Sequence, residues 1–143
     1  METDKYDVIP FVPEHLLVFR PREPLCPYVD VKQNYFRSLA FTGLVNNKPI
    51  GCVGIRIFAK IGYVWAFLDS SASDHAVFIH RTTLKFMRNI IKVFGLQRLQ
   101  AFILPGFSLG QLWVERLGFN YEGTVRCLGP NKEDYKLYSL VVR

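Results

Sequence analysis

The feature that most constrains this chain is one long amphipathic stretch, Asp74 to Phe94, set between two apolar runs, Ile61 to Leu68 and Arg98 to Leu104. Ala76, Ile79, Thr83, Met87, Ile90 and Phe94 recur at the helical period and predict a helix with one face against a sheet. Ser73 is the expected N-cap, Asp74 suits the positive end of the helix dipole, and Gly95 supplies the stop. Two strands joined through a helix of this length are expected to lie parallel, because parallel neighbours cannot be joined by a tight turn.

The remaining elements follow the same logic. Tyr6 to Phe11 reads as a first strand, and Pro13 with Glu14 starts a short helix over Leu16, Leu17 and Phe19. The prolines between Arg20 and Pro27 forbid regular structure there, and Tyr28 to Phe36 reads as a second short helix. Leu39 to Val45 and Pro49 to Phe58 are β-rich runs joined by Asn46-Asn47, a pair that tolerates the positive φ of a tight hairpin. Ser108 to Leu117 predicts a helix with Leu109, Leu112, Trp113 and Leu117 inward. Phe119 to Cys127 and Tyr135 to Val142 close the chain as two strands. The order implies an α/β (α+β) mixed sheet, mostly antiparallel, in a single domain spanning residues 1–143.

Composition excludes more than it selects. Half the residues are hydrophobic and 15% are aromatic, which argues against general disorder. No apolar run approaches the roughly 20 residues that cross a bilayer, and Met1 to Lys5 does not read as a signal peptide. Cys26, Cys52 and Cys127 have no metal-ligand spacing, so no metal is expected and the thiols read as reduced, in a cytosol. The net charge of +6 suits an anionic nucleotide cofactor, an acidic protein or nucleic acid. Arg81, Lys85, Arg88 and Lys92 form one basic stripe on the long helix, either a solvated face or a docking surface for an acidic partner. No nucleic-acid motif accompanies it, so nucleic acid is not an expected partner.

Between Phe67 and Ala76 a strand feeds a helix through Ser70, Ser71, Ala72 and Ser73. First-turn amides lack intrahelical partners, so such a junction is either an anion site or a serine-rich helix cap. With Glu115 to Phe119 (Glu-Arg-Leu-Gly-Phe) entering the final antiparallel pair, this order of elements resembles the GNAT family of acetyl-CoA-dependent N-acyltransferases. The resemblance implies a splayed parallel pair, Tyr63 to Leu68 and Leu99 to Leu104, with the cofactor between. It implies weakly bound acetyl-CoA held by Phe67, Leu68, Ser70, Ser71, Ser73, Asp74, His75 and Ala76, with His75 or Arg81 supplying compensating charge.

The chain departs from the family pattern where the chemistry sits. The Gln/Arg-x-x-Gly-x-Gly/Ala phosphate loop is replaced by Asp74 to Phe78, which contains no glycine. The fourth strand has no acid before Asp69, and the positions of the family's tyrosine and asparagine fall at Val114 and near Phe107. Tyrosines of the closing strands remain as candidates, with Tyr121 and Tyr138 as the catalytic pair and Tyr135 beside them. Pro13 to Leu16, the hairpin through Gly54, Trp65-Ala66 and Gly118 to Gly123 resemble small phage-encoded members. That resemblance implies a bacterial host cytoplasm or a virion. It also implies a second reading, an adapter binding a host enzyme or virion protein.

Overall fold

A computed structural model describes residues 3–19 and 38–143. The expected proline-rich loop, the helix over Tyr28 to Phe36 and Cys26 lie outside those residues. The described strands are β1 (Tyr6–Pro10), β2 (Ser38–Val45), β3 (Lys48–Phe58), β4 (Ile61–Leu68), β5 (Arg98–Ile103), β6 (Asn120–Val125) and β7 (Tyr135–Val141). They form one sheet in the order β1-β2-β3-β4-β5-β7-β6. Every neighbouring pair is antiparallel except β4 with β5. The crossover between those two is helix α1 (Ala76–Phe94), as the long amphipathic stretch required. Asn46 and Asn47 take positive φ of 51° and 68° at the β2–β3 hairpin.

Helix α1 starts two residues later than its sequence suggests. Ser73 is not the cap. Asp69 accepts hydrogen bonds from the Ser71 amide at 3.0 Å and the Ser71 hydroxyl at 2.5 Å, which folds Ser70–His75 into a 3-10 helix first. Serine and aspartate side chains that bind nearby backbone compete with the α-helix in this way. Ile79, Thr83 and Met87 are the buried positions of α1, whereas Ala76 and Phe94 are exposed. Gly95 ends the helix in the left-handed conformation at φ 61°.

Helix α2 (Ser108–Arg116) also presents a different face from the expected one. Gly110 and Val114, with Leu117 beyond its end, are buried, whereas Leu109 and Leu112 are exposed. Phe107 packs on Gly110 so closely that a Cβ there would meet its ring Cδ2 at 2.6 Å. That contact sets Gly110 against Phe107, and the two leucines stand off the core in the wall of a cleft.

The core has two sides. Met87 of α1 and Val114 of α2 meet Ile55, Leu99 and Ala101 on one face of the sheet. On the other, Phe11, Cys52, Trp65 and Phe67 pack with Leu16 and Phe19, contributed by and just after a 3-10 turn, Pro13–Val18. Leu17 in that turn points outward, 84% exposed.

Candidate active site

Strands β4 and β5 pair through only Ile61 with Arg98, Gly62 with Leu99 and Tyr63 with Gln100. Gly62 permits that approach, since a Cβ there would lie 2.7 Å from Leu99 Cδ2 and 2.8 Å from Ile55 Cγ2. Beyond Tyr63 the strands part, and a cavity of about 560 Å³ opens between them and the start of α1. The β4 edge facing β5 has no ladder partner there among the described residues, which leaves room for another extended chain to pair with it.

The cavity wall is mostly apolar and runs through the sheet. On the helical face it includes Ala66, Leu68, Ala72, Ile79 and Thr83, with Leu109 and Leu112 of α2. Thr83 is fully buried, and its Oγ1 has no hydrogen-bond partner among the described residues. On the opposite face the wall includes Arg56, Phe58, Tyr63 and Trp65. Asp69 is the one carboxylate lining the cavity among the described residues. It is 4% exposed and committed to Ser71.

Of the residues expected to hold a cofactor, Phe67, Leu68, Ser73 and Ala76 line the cavity. Ser70, Ser71, Asp74 and His75 do not. Ser71 is turned to Asp69, and His75 is turned to the sheet edge, with Nδ1 3.0 Å from the Tyr6 hydroxyl and 4.0 Å from Asp4. Arg81, Lys85, Arg88 and Lys92 are all exposed along α1.

Tyr121 and Tyr138 are neighbours, with ring centroids 5.6 Å apart, but neither lines the cavity. Tyr121 is 52% exposed and its hydroxyl lies 3.0 Å from Thr124 Oγ1. Tyr138 is buried and points its hydroxyl at Gln111 Oε1, 3.5 Å away. Burial first, then Glu115 and Tyr121, pushes its pKa above the ordinary phenol value. Tyr135 is fully buried. The tyrosine at the fork is Tyr63, cross-strand partner of Arg56, which only the β3–β4 register brings to light.

Glu122, on β6, is bound elsewhere. Arg98 grips it with two nitrogens at 2.8 and 2.5 Å, and the Ser139 hydroxyl donates to it as well. These bonds lower its pKa from 4.5 to about 2, so it is a feeble base. Burial pushes the Cys52 thiol up to about 12, against a lowering by its Thr42 hydrogen bond, and leaves it a packing group. Among the described residues no cluster of His, Cys, Asp or Glu is arranged to hold a metal ion. No helix among them is long and apolar enough to cross a membrane.

No family model and no curated protein matches this sequence. Solved structures do. The ribosomal-protein-S5-alanine acetyltransferase of Vibrio fischeri superposes with a TM-score of 0.67 at 20% identity, covering 99% of this chain and 95% of that one. A GNAT-family acetyltransferase from Streptococcus pneumoniae gives 0.63 at 16% identity over 75% and 68% of the two chains. RimJ of Mycobacterium smegmatis, solved with CoA-disulfide, gives 0.65 at 15% over 78% and 57%. With its parallel fork, crossover helix and antiparallel closing pair, the chain has the fold of the GNAT acetyltransferases.

Proposed function

We propose that this chain is an acetyl-CoA-dependent N-acyltransferase whose cleft works by positioning rather than by a dedicated acid and base. The observation that carries the reading is the fork, where β4 loses its partner after Tyr63 beside a cavity of about 560 Å³. That β4 edge suits a pantetheine arm, whose amides can bond it as a strand would. Ser73 and Ala76 leave room at the helix start, and the Thr83 hydroxyl offers a polar contact inside an apolar wall. Bound acetyl-CoA supplies the activated acyl carbon.

An acceptor amine entering from the Tyr63 face attacks that carbon, forming a C–N bond as the C–S bond breaks, and the proton lost by the amine balances the departing thiolate. Asp69 is tied to Ser71 and Glu122 to Arg98, so neither is poised to take that proton. Orientation alone supplies much of such a rate, and general acid-base help is worth roughly 100- to 10,000-fold. The reading therefore implies a slow enzyme.

Calorimetric titration with acetyl-CoA tests the reading. Ala66 is exposed in the cleft wall, so Ala66→Trp fills the cavity without disturbing the core. Binding to the parent chain that disappears in Ala66→Trp, at an unchanged melting temperature, supports the reading. No heat from the parent chain, or heat that survives the substitution, overturns it.

A second reading, an adapter for an acidic protein partner, is favoured by the four exposed cations of α1 and by the lack, among the described residues, of a carboxylate in the cleft other than the Asp69 bound to Ser71. A phage origin rests on the short sequence motifs alone.

A further inference from the structure

The face of the cleft opposite α1 carries a cation, Arg56, with no counter-ion among the described residues. Arg56 is half-buried, lines the cavity, and makes no ion pair or side-chain hydrogen bond with the described residues. The nearby arginine on that face, Arg98, is already neutralised by Glu122. The other cation in the wall, Arg116, is exposed on α2, whose packing face lies on the α1 side of the sheet. Holding a guanidinium partly away from water is costly unless an anion joins it.

Arg56 lies between two strand neighbours, Ser38 of β2 and Tyr63 of β4. Tyr63 is the last β4 residue paired before the fork. Trp65, two residues on along the same face, leans away across Gly54, and its indole N–H donates to Ser38 Oγ at 3.0 Å. The indole thus lies towards β2, with its N–H on the residue that flanks Arg56 from that strand. Arg56 stands one strand, about 4.8 Å, from the line along which the strands part.

Resting on the acyltransferase reading, we infer that Arg56 is the acceptor anchor and that the acceptor is a small amine bearing a carboxylate, such as a free amino acid. A guanidinium matches a carboxylate in a two-point hydrogen bond, and a single cation suits a singly charged group better than a phosphate. With the carboxylate held at Arg56, an amine a few bonds away reaches the fork beside Tyr63. Phe58 and Tyr63 provide an apolar wall for the rest of the molecule.

The test measures thiol release from acetyl-CoA with a panel of L-amino acids and the matching amino-acid amides. The expected result is at least one amino acid whose kcat/KM exceeds that of its amide by about 10- to 100-fold, the worth of a charge-assisted pair, mostly through KM. Arg56→Gln erases that preference while keeping its melting temperature and acetyl-CoA affinity, and Arg56→Lys retains part of it. Equal rates for acid and amide, a preference that survives in Arg56→Gln, or a chain that binds acetyl-CoA yet acylates no amino acid overturns the inference alone. A chain that binds no acetyl-CoA overturns the underlying reading and the inference with it.

Discussion

The indole of Trp65 occupies the space that a side chain on Gly54 would need: a Cβ at Gly54 would fall 2.7 Å from Trp65 Nε1, with two ring carbons closer still. The two residues are cross-strand partners in β3 and β4, so the glycine sets where the tryptophan goes. The contact joins a backbone position of the core to the shape of the cleft face opposite α1.

Gly54→Ala is therefore expected to destabilise the protein by about 1–3 kcal/mol, the usual cost of overpacking a dense interior. It should also break the bond from Trp65 to Ser38, and the tryptophan fluorescence maximum should shift. A urea midpoint and emission spectrum equal to those of the parent chain would refute this.

Asp69 organises the entry to α1. Asp69→Ala removes the acceptor for the Ser71 amide and hydroxyl, at a cost of about 0.5–2 kcal/mol, as for other lost helix caps. Asp69→Asn keeps a side-chain oxygen for the amide and should lie between the two. Denaturant midpoints of the three proteins decide the order, and an Asp69→Ala variant as stable as the parent chain contradicts it.

The Arg98–Glu122 pair gives a pH dependence of known sign. The Glu122 pKa is depressed from 4.5 to about 2, so the folded state binds its proton less readily than the unfolded chain. Its stabilising contribution is complete above about 4.5 and is lost as the pH falls towards about 2. The gap in melting temperature between the parent chain and Glu122→Gln should close over that interval. A gap that stays constant to acid pH would place the stabilisation elsewhere.

How much of this was legible in the sequence depends on the distance between the residues concerned. Strand β4 matched its apolar run residue for residue, and Asn46-Asn47 announced its hairpin, because both signals are local. The parallel pair followed from the length of one crossover helix. The α1 start was misplaced because Asp69 captures Ser71 two residues on, a local bond that outweighs the cap expected at Ser73. The packing of Phe107 on Gly110 is a contact that helical periodicity does not encode. Arg56 and Tyr63 were missed for a different reason. They are seven residues apart and meet only once the β3–β4 register is known.

The basic stripe of α1 is exposed along its whole length, so its charges contribute little to the fold. Reversing Arg81 and Arg88 to glutamate should change unfolding free energy by no more than about 0.5 kcal/mol for each substitution. A larger loss in urea denaturation would show that the stripe supports the structure.

Asp74 tests where the phosphates of the proposed cofactor would lie. It is exposed in the 3-10 turn just before α1, where the amides of the first helical turn have no intrahelical partner. Its charge favours the helix dipole but repels a polyphosphate approaching the same amides. Asp74→Asn should therefore move two measurements in opposite directions. Stability should fall by about 0.3–1 kcal/mol with the lost dipole interaction. Acetyl-CoA affinity should rise by about 3- to 10-fold at low salt, and the gain should shrink as ionic strength screens the repulsion. An affinity that does not change, or that falls with stability, would mean that the phosphates bind away from the start of α1.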